Sequence, residues 1–169
     1  MPTHDDADKL YKQALEAGRR GDDPQATTLF EQALTFNLAN TLDDLGKPAQ
    51  AEPYYHQALT LYQTLPNTEE NQAACLYNLA ANLATRGKLA EAEPHYRQAL
   101  TLYQTLPNTE ENQAACLYNL ATTLSKLDKL AQAEPYYRQA LTLYQDIPNT
   151  EKNQATCLYN LATTLFLLD

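Results

Sequence analysis

Apolar residues recur along this chain at alternating steps of three and four. From Ala90 to Leu106, the residues Ala92, Tyr96, Ala99, Tyr103 and Leu106 fall on one face of a helix, with Glu93 and Arg97 four apart on its outer side. Pro94 lies near the start of this helix, where a missing N–H costs least, and Pro107 ends it. A second stripe follows at Leu117, Leu120, Ala121 and Leu124. Asn108 or Thr109 is placed to cap this second helix, and Glu110 and Glu111 suit the positive end of its dipole. The pattern predicts a helical hairpin.

The hairpin repeats. AEPYYHQALTLYQTLPNTEENQAACLYNLA begins at Ala51 and returns, slightly varied, at Ala92 and Ala133, a period of 41 both times. Residues 51–91 and 92–132 differ at only nine positions. A hairpin of this size cannot bury its apolar side alone, so a period in this range predicts stacked units. The expected organisation is one all-α array of tandem helix-turn-helix repeats over 1–169. It divides into an irregular N-terminal hairpin at 8–46 and repeats at 47–87, 88–128 and 129–169.

Both ends break the rhythm. Leu10–Arg20 reads as one helix, Gly21–Pro24 as a turn, and Ala26, Phe30 and Ala33 as the stripe of a second helix. Phe36-Asn37-Leu38-Ala39 then already matches Tyr77-Asn78-Leu79-Ala80, so about sixteen residues of the repeat are missing. With no Pro or Gly between Pro24 and Gly46, one continuous helix is expected over 25–45, roughly 30 Å long. Its two halves need separate packing partners. Two solutions stay open: a swapped dimer through the N-terminal hairpin, or a bend at 35–37 in a monomer. The last helix, Thr150–Leu168, has no second helix after it. Leu158, Leu161, Leu165 and Leu168 are therefore expected to be bare and to support self-association, unless the chain is a piece of a longer array.

Composition narrows the function. The chain is 44% hydrophobic without any Trp, and its apolar residues are mostly Leu, Ala and Tyr, which disfavours a sheet. The net charge of −9 argues against nucleic-acid and membrane-surface partners. No apolar run is long enough to span a membrane, and the start MPTHDDADKL is acidic and polar, so a cytoplasmic location is expected. Cys75, Cys116 and Cys157 lie 41 apart and so hold equivalent places in successive repeats. Equivalent sites should sit at least ~8–10 Å apart, too far for a disulfide, and three reduced, partly buried thiols are expected. His56 and His95 align with Arg or Tyr in other units and read as surface variation. No nucleophile–base pair, phosphate loop or metal motif appears, so no enzyme activity, cofactor or metal is expected.

Ala80, Gly87, Ala92, Tyr96, Ala99 and Pro107 stand where the tetratricopeptide repeat has its signature residues. With its period of 41 and phrases such as CLYNLA, the chain resembles the long form of that repeat found in kinesin light chains. The resemblance implies a right-handed superhelical solenoid in which the first helix of each pair lines a concave groove. Asp128 replaces the turn glycine Gly87, which is expected to loosen that turn slightly.

Helical geometry then selects the groove residues. Turned away from the core are Ala74, Tyr77, Asn78, Ala81 and Thr85 in one unit and Ala115, Tyr118, Asn119, Thr122 and Lys126 in the next. Thr156, Tyr159, Asn160, Thr163 and Leu167 follow in the last unit, while Phe36, Asn37 and Asn40 join from the long helix. This makes a column of Tyr beside a column of Asn, offering apolar area and paired donor and acceptor groups to an extended peptide. Groove asparagines contact peptide in kinesin light chains, and the resemblance implies a similar role here. The competing reading is that Asn and Tyr bond or pack between repeats. Lys126 is the only groove cation, too little for a carboxylate clamp. The expected function is a protein-interaction scaffold binding a peptide or protein segment, neutral or basic rather than acidic. The alternative is a self-assembling module, a swapped homodimer or an end-to-end stack.

Overall fold

A computed structural model of the chain describes Gly21 and residues 23–169. The helix expected over Leu10–Arg20, and with it the N-terminal hairpin and any exchange of it between chains, lies outside the described residues. So do the side chains of Ala26, Phe30 and Ala33.

The described residues form helices and no strand. In chain order they are α1 (Asp23–Asp44), α2 (Pro48–Gln63), α3 (Glu69–Thr85), α4 (Leu89–Thr105), α5 (Glu110–Lys126), α6 (Leu130–Asp146) and α7 (Glu151–Leu168). Each helix packs on the next, building a helical-repeat solenoid. The first-type helices α1, α3, α5 and α7 also touch one another in succession, which α2, α4 and α6 do to no comparable degree. The first-type side is therefore the inner side of the stack.

The core follows the sequence stripes. Ala92, Tyr96, Ala99 and Tyr103 of α4 are buried, as are Leu117, Leu120, Ala121 and Leu124 of α5. Alanine lets the helix axes approach, and tyrosine fills the remaining space. The thiols are fully rather than partly buried. Cys75, Cys116 and Cys157 each donate to a backbone carbonyl of the preceding second-type helix, at Tyr55, Tyr96 and Tyr137, all at 3.2 Å. Burial raises all three, Cys116 to about 12 and Cys157 to about 11, so they stay protonated donors.

Local chemistry differs from expectation at three points. Thr109 occupies the cap position of α5, but its hydroxyl makes no capping bond. It turns back to the carbonyls of Tyr103 (2.6 Å) and Leu106 (3.1 Å), where Gln113 also donates to Tyr103 (3.1 Å). Thr68 and Thr150 do the same, so this threonine closes the preceding helix, whose last carbonyls would otherwise be unpaired. Pro94 is the sixth residue of α4, past the first turn, so the helix forgoes one interior bond. Asp128 does not loosen its turn. It adopts φ 59° where Gly87 has 77°, and the bond from the next residue's N–H to the helix is 2.9 Å in both turns.

On the outer side, Glu93 accepts from Lys129 of the next unit (2.7 Å) and from Arg97 (3.0 Å). Lys129 chiefly holds the Glu93 carboxyl below its usual range, against an opposing effect of burial. His95 lies edge-on to His56, with ring centroids 6.3 Å apart. Burial, with a smaller contribution from His56, pushes His95 below the ordinary histidine value.

Two outcomes follow from this packing. Leu117 and Leu158 are equivalent residues, 2% exposed with a following unit in place and 50% exposed without one. Leu117→Ala should lower unfolding free energy by about 2–5 kcal/mol, and Leu158→Ala by less than about 1 kcal/mol, in urea titrations. His95 binds its proton less readily folded than unfolded, so its contribution is complete above about pH 6.5 and is lost as pH falls below that. His95→Tyr, the residue at 54 and 136, should flatten the stability curve between about pH 7.5 and 5.5 in thermal melts.

Candidate functional site

The inner faces of α1, α3, α5 and α7 carry the Tyr and Asn columns, and the two columns are tied together. Asn119 Nδ2 donates to the Tyr77 hydroxyl at 2.7 Å, and Asn160 Nδ2 to the Tyr118 hydroxyl at 2.9 Å. The Tyr77 ring packs edge-on to Tyr96, centroids 5.8 Å apart, and Tyr118 stands tilted against Tyr137 at 5.9 Å. At the first junction Phe36 holds the tyrosine's place and has no hydroxyl. Asn78 Nδ2 donates instead to Asn40 Oδ1 at 2.9 Å. The bonding of asparagine across repeats is thus part of the structure. Each such amide still has a second donor proton and a carbonyl oxygen.

Several of the expected positions are corrected. Phe36 is only 3% exposed, edge-on to Tyr55 and Tyr62 in the core, because α1 has no preceding loop to turn it outward. Ala74 is likewise buried. Asn37, Lys126, Tyr159 and Thr163 are exposed, while Asn40, Tyr77, Asn78, Ala81, Tyr118, Asn119, Thr122 and Asn160 are half-buried on the inner face. Of the leucines expected to be bare on α7, Leu161 is buried, because it points into the hairpin with α6 as Leu79 and Leu120 point into theirs. Leu158 and Leu168 are exposed and Leu165 is half-buried; Phe166 and Leu167 are exposed beside them.

Three clefts run along the inner side, one at each junction of first-type helices. The first, of about 570 Å³, is lined by Asn40, Asp43, Asp44, Tyr55, Asn78 and Asn82, among others. The second, about 210 Å³, includes Ala81, Tyr96, Asn119, Thr122 and Lys126. The third, about 240 Å³, includes Thr122, Lys126, Tyr137, Asn160 and Thr163.

The sequence reading missed the tyrosines of the second-type helices. Their rings are core, but their hydroxyls reach the cleft floors. Tyr55 donates to Asn40 and Asp43, both at 2.9 Å, and Tyr137 to Thr122 at 3.1 Å. Burial raises both phenols, Tyr55 further because of the Asp43 carboxylate beside it, so they remain donors. Asp43 and Asn82 were also missed. A signal was present at Asn82, since positions 41, 123 and 164 hold Thr.

These groups can hold a ligand by hydrogen bonds and aromatic area. No group of three His, Cys, Asp or Glu among the described residues is arranged to hold a metal, and none of the described helices is long and apolar enough to cross a membrane.

A tetratricopeptide-repeat family model matches residues 30–105 and 113–169. No curated protein is significantly similar in sequence. Solved structures resemble this chain in fold. BtubC (BKLC) from P. vanneervenii matches with TM-score 0.70 and 21% identity over 93% of this chain and 70% of that one. The Yersinia enterocolitica type III secretion chaperone SycD, in complex with a peptide of the translocator YopD, matches with TM-score 0.67 and 15% identity, over 80% of this chain and 93% of that one. Kinesin light chain repeats of Podosopora anserina match with TM-score 0.63 and 17% identity, over 97% and 87% respectively. At these identities the likeness concerns the fold.

The hydroxyl of Tyr118 has one measurable duty in the free protein. Tyr118→Phe strands the Asn160 amide at a half-buried junction and should lower unfolding free energy by about 0.5–1.5 kcal/mol, read by urea denaturation. Tyr159→Phe, with no following repeat and a ring 72% exposed, should change it by less than about 0.5 kcal/mol.

Proposed function

This chain belongs to the tetratricopeptide-repeat family, and from that premise we propose that it is an interaction scaffold binding an extended protein segment along its inner side. The Tyr and Asn columns, interrupted by a cleft at each junction, carry this reading. A row of half-buried amides with unused donors and acceptors suits a peptide backbone, and the intervening clefts suit side chains. Tyrosine contributes contact area that is already ordered by its bonds to asparagine, which lowers the entropy lost on binding. The SycD structure, solved with a peptide, supports the fold's suitability for such a ligand. The net charge of −9 favours neutral or basic segments. The work is proposed to take place in the cytoplasm and to need no cofactor.

One observation favours a second reading. Leu158, Phe166, Leu167 and Leu168 leave an apolar patch exposed on α7. Stacking of this face on another copy would make the chain a self-assembling module.

Peptides selected on the protein from a random display library separate the two readings. Thr122 and Thr163 sit at the mouths of the second and third clefts, where an arginine would fill the space. The variant Thr122→Arg/Thr163→Arg should weaken the selected peptides at least about tenfold with its thermal melt retained. Equal binding by this variant ends the groove reading. Sedimentation that gives a dimer for the native chain and a monomer for Phe166→Asp/Leu167→Asp would instead establish assembly through α7.

A further inference from the structure

The first cleft differs in kind from the other two. Asn82 is only 2% exposed, and its Nδ2 donates to Asp43 Oδ1 at 2.7 Å and to the Pro48 carbonyl at 2.8 Å. Two donor bonds fix which atom is nitrogen. The remaining atom, Oδ1, is buried without a hydrogen-bond partner among the described residues, and Asn82 is one of the residues lining the cleft. Buried carbonyl oxygens are ordinarily paired, so this one awaits a donor.

The surrounding groups are acceptors too. Asp43 accepts from Tyr55 and Asn82, both neutral, and no cation among the described residues pairs with Asp43 or Asp44. Arg86 and Lys88 are engaged elsewhere, since both bond Glu52 on the outer side, and Lys47 is exposed. Asn40 Oδ1 completes the rim. Hence a buried carbonyl and two carboxylates face a cleft of about 570 Å³, more than twice the volume of either neighbouring cleft.

The repeat itself marks this corner. Asn40, Asp43 and Asp44 align with Ala81, Ala84 and Thr85, and Asn82 with Thr123. Six of the nine differences between 51–91 and 92–132 fall within positions 81–87. In units otherwise almost identical, four of these positions, 81, 82, 84 and 85, line the first or the second cleft.

Resting on the groove reading, we infer that the corner between α1, α2 and α3 is a subsite for the guanidinium of an arginine side chain in the bound segment. The planar group carries five donors in a fixed fork, so it can reach the Asn82 carbonyl and the aspartates together. It is also less strongly hydrated than an ammonium, which favours it where the acceptor is buried. Tyr77, whose ring borders the cleft, offers a face for it to stack on. The second and third clefts hold Lys126 instead, so the groove reads positive charge at one end and not along its length.

Two probes that differ in little but charge test the subsite: Nα-acetyl-arginine amide and its neutral isostere Nα-acetyl-citrulline amide. Each is titrated into the ¹⁵N-labelled full chain. Arginine amide should produce saturable shifts in the Asn82 and Asn40 side-chain amides and in backbone amides near 43–46, and citrulline amide should not. Asp44→Thr and Asn82→Thr, each using the next unit's own residue type at that place, should weaken arginine amide about tenfold. Asp44 is exposed and makes no hydrogen bond or ion pair among the described residues, so that variant stays informative even if Asn82→Thr destabilises the helix. Equal shifts with citrulline amide overturn the proposal. So do unchanged affinity in both variants, shifts spread over the acidic surface without saturation, and a stronger response of the same amides to Ca²⁺. The Thr122→Arg/Thr163→Arg variant leaves this corner intact. Unchanged peptide binding by that variant with arginine amide still bound fails the groove reading alone, and weakened peptide binding with no arginine-specific shifts fails the subsite alone.

Discussion

Each second-type helix buries two alanines and two tyrosines on one face. The alanines bring the helix axes close, and closeness leaves no room for a tyrosine ring to lie flat at the surface. The first tyrosine of each pair, Tyr55, Tyr96 or Tyr137, runs through the stack to the inner clefts. A buried hydroxyl needs a partner. Tyr55 finds Asn40 and Asp43, and Tyr137 finds Thr122. The polar character of the inner face is thus a consequence of how the core is packed.

The same coupling explains what could be read in the sequence and what could not. The period of 41, the apolar stripes and the unbroken stretch before Gly46 report on one helix at a time, and the helices appear where those signals put them. The tie between Asn119 and Tyr77 joins residues 42 apart, on helices whose register depends on the whole stack. Periodicity cannot show it. Phe36 was misplaced for a related reason. Its alignment with Tyr77 is sound, but a residue keeps its exposure only if its surroundings repeat as well. α1 runs unbroken from Asp23, where the later units have a loop, and Phe36 turns into the core. Thr109 looked like a cap because it stands before a helix, yet its hydroxyl acts as a donor, to the last carbonyls of the helix before it.

Position in the array matters as much as residue type. Tyr77, Tyr118 and Tyr159 share a sequence context, but the first two each have an asparagine from the next unit on the hydroxyl, and Tyr159 has none. Leu117 and Leu158 diverge in the same way. In a linear stack the energy of a unit is its own plus that of each neighbour, so an end unit lacks a whole interface term. Phe166, Leu167 and Leu168 are exposed on α7.

Near-identity of units raises a difficulty for any groove built from them. An extended peptide lying across equivalent amides can slide by one repeat and make the same backbone bonds again, so two or more registers compete at similar energy. Specificity then requires something that does not repeat. The asparagines at 78, 119 and 160 are invariant between units, whereas positions 84 and 85 change at each step and 81 and 82 change at the first. Those changes lie at the clefts, where side chains rather than backbone would be read. Carboxylates at the first junction and Lys126 at the others give the clefts opposite charge. A shift by one repeat would carry a cationic side chain from Asp43 to Lys126 and exchange attraction for repulsion. In a groove that binds such a segment, repetition would supply affinity indifferent to register, and the few positions that break the repetition would fix it.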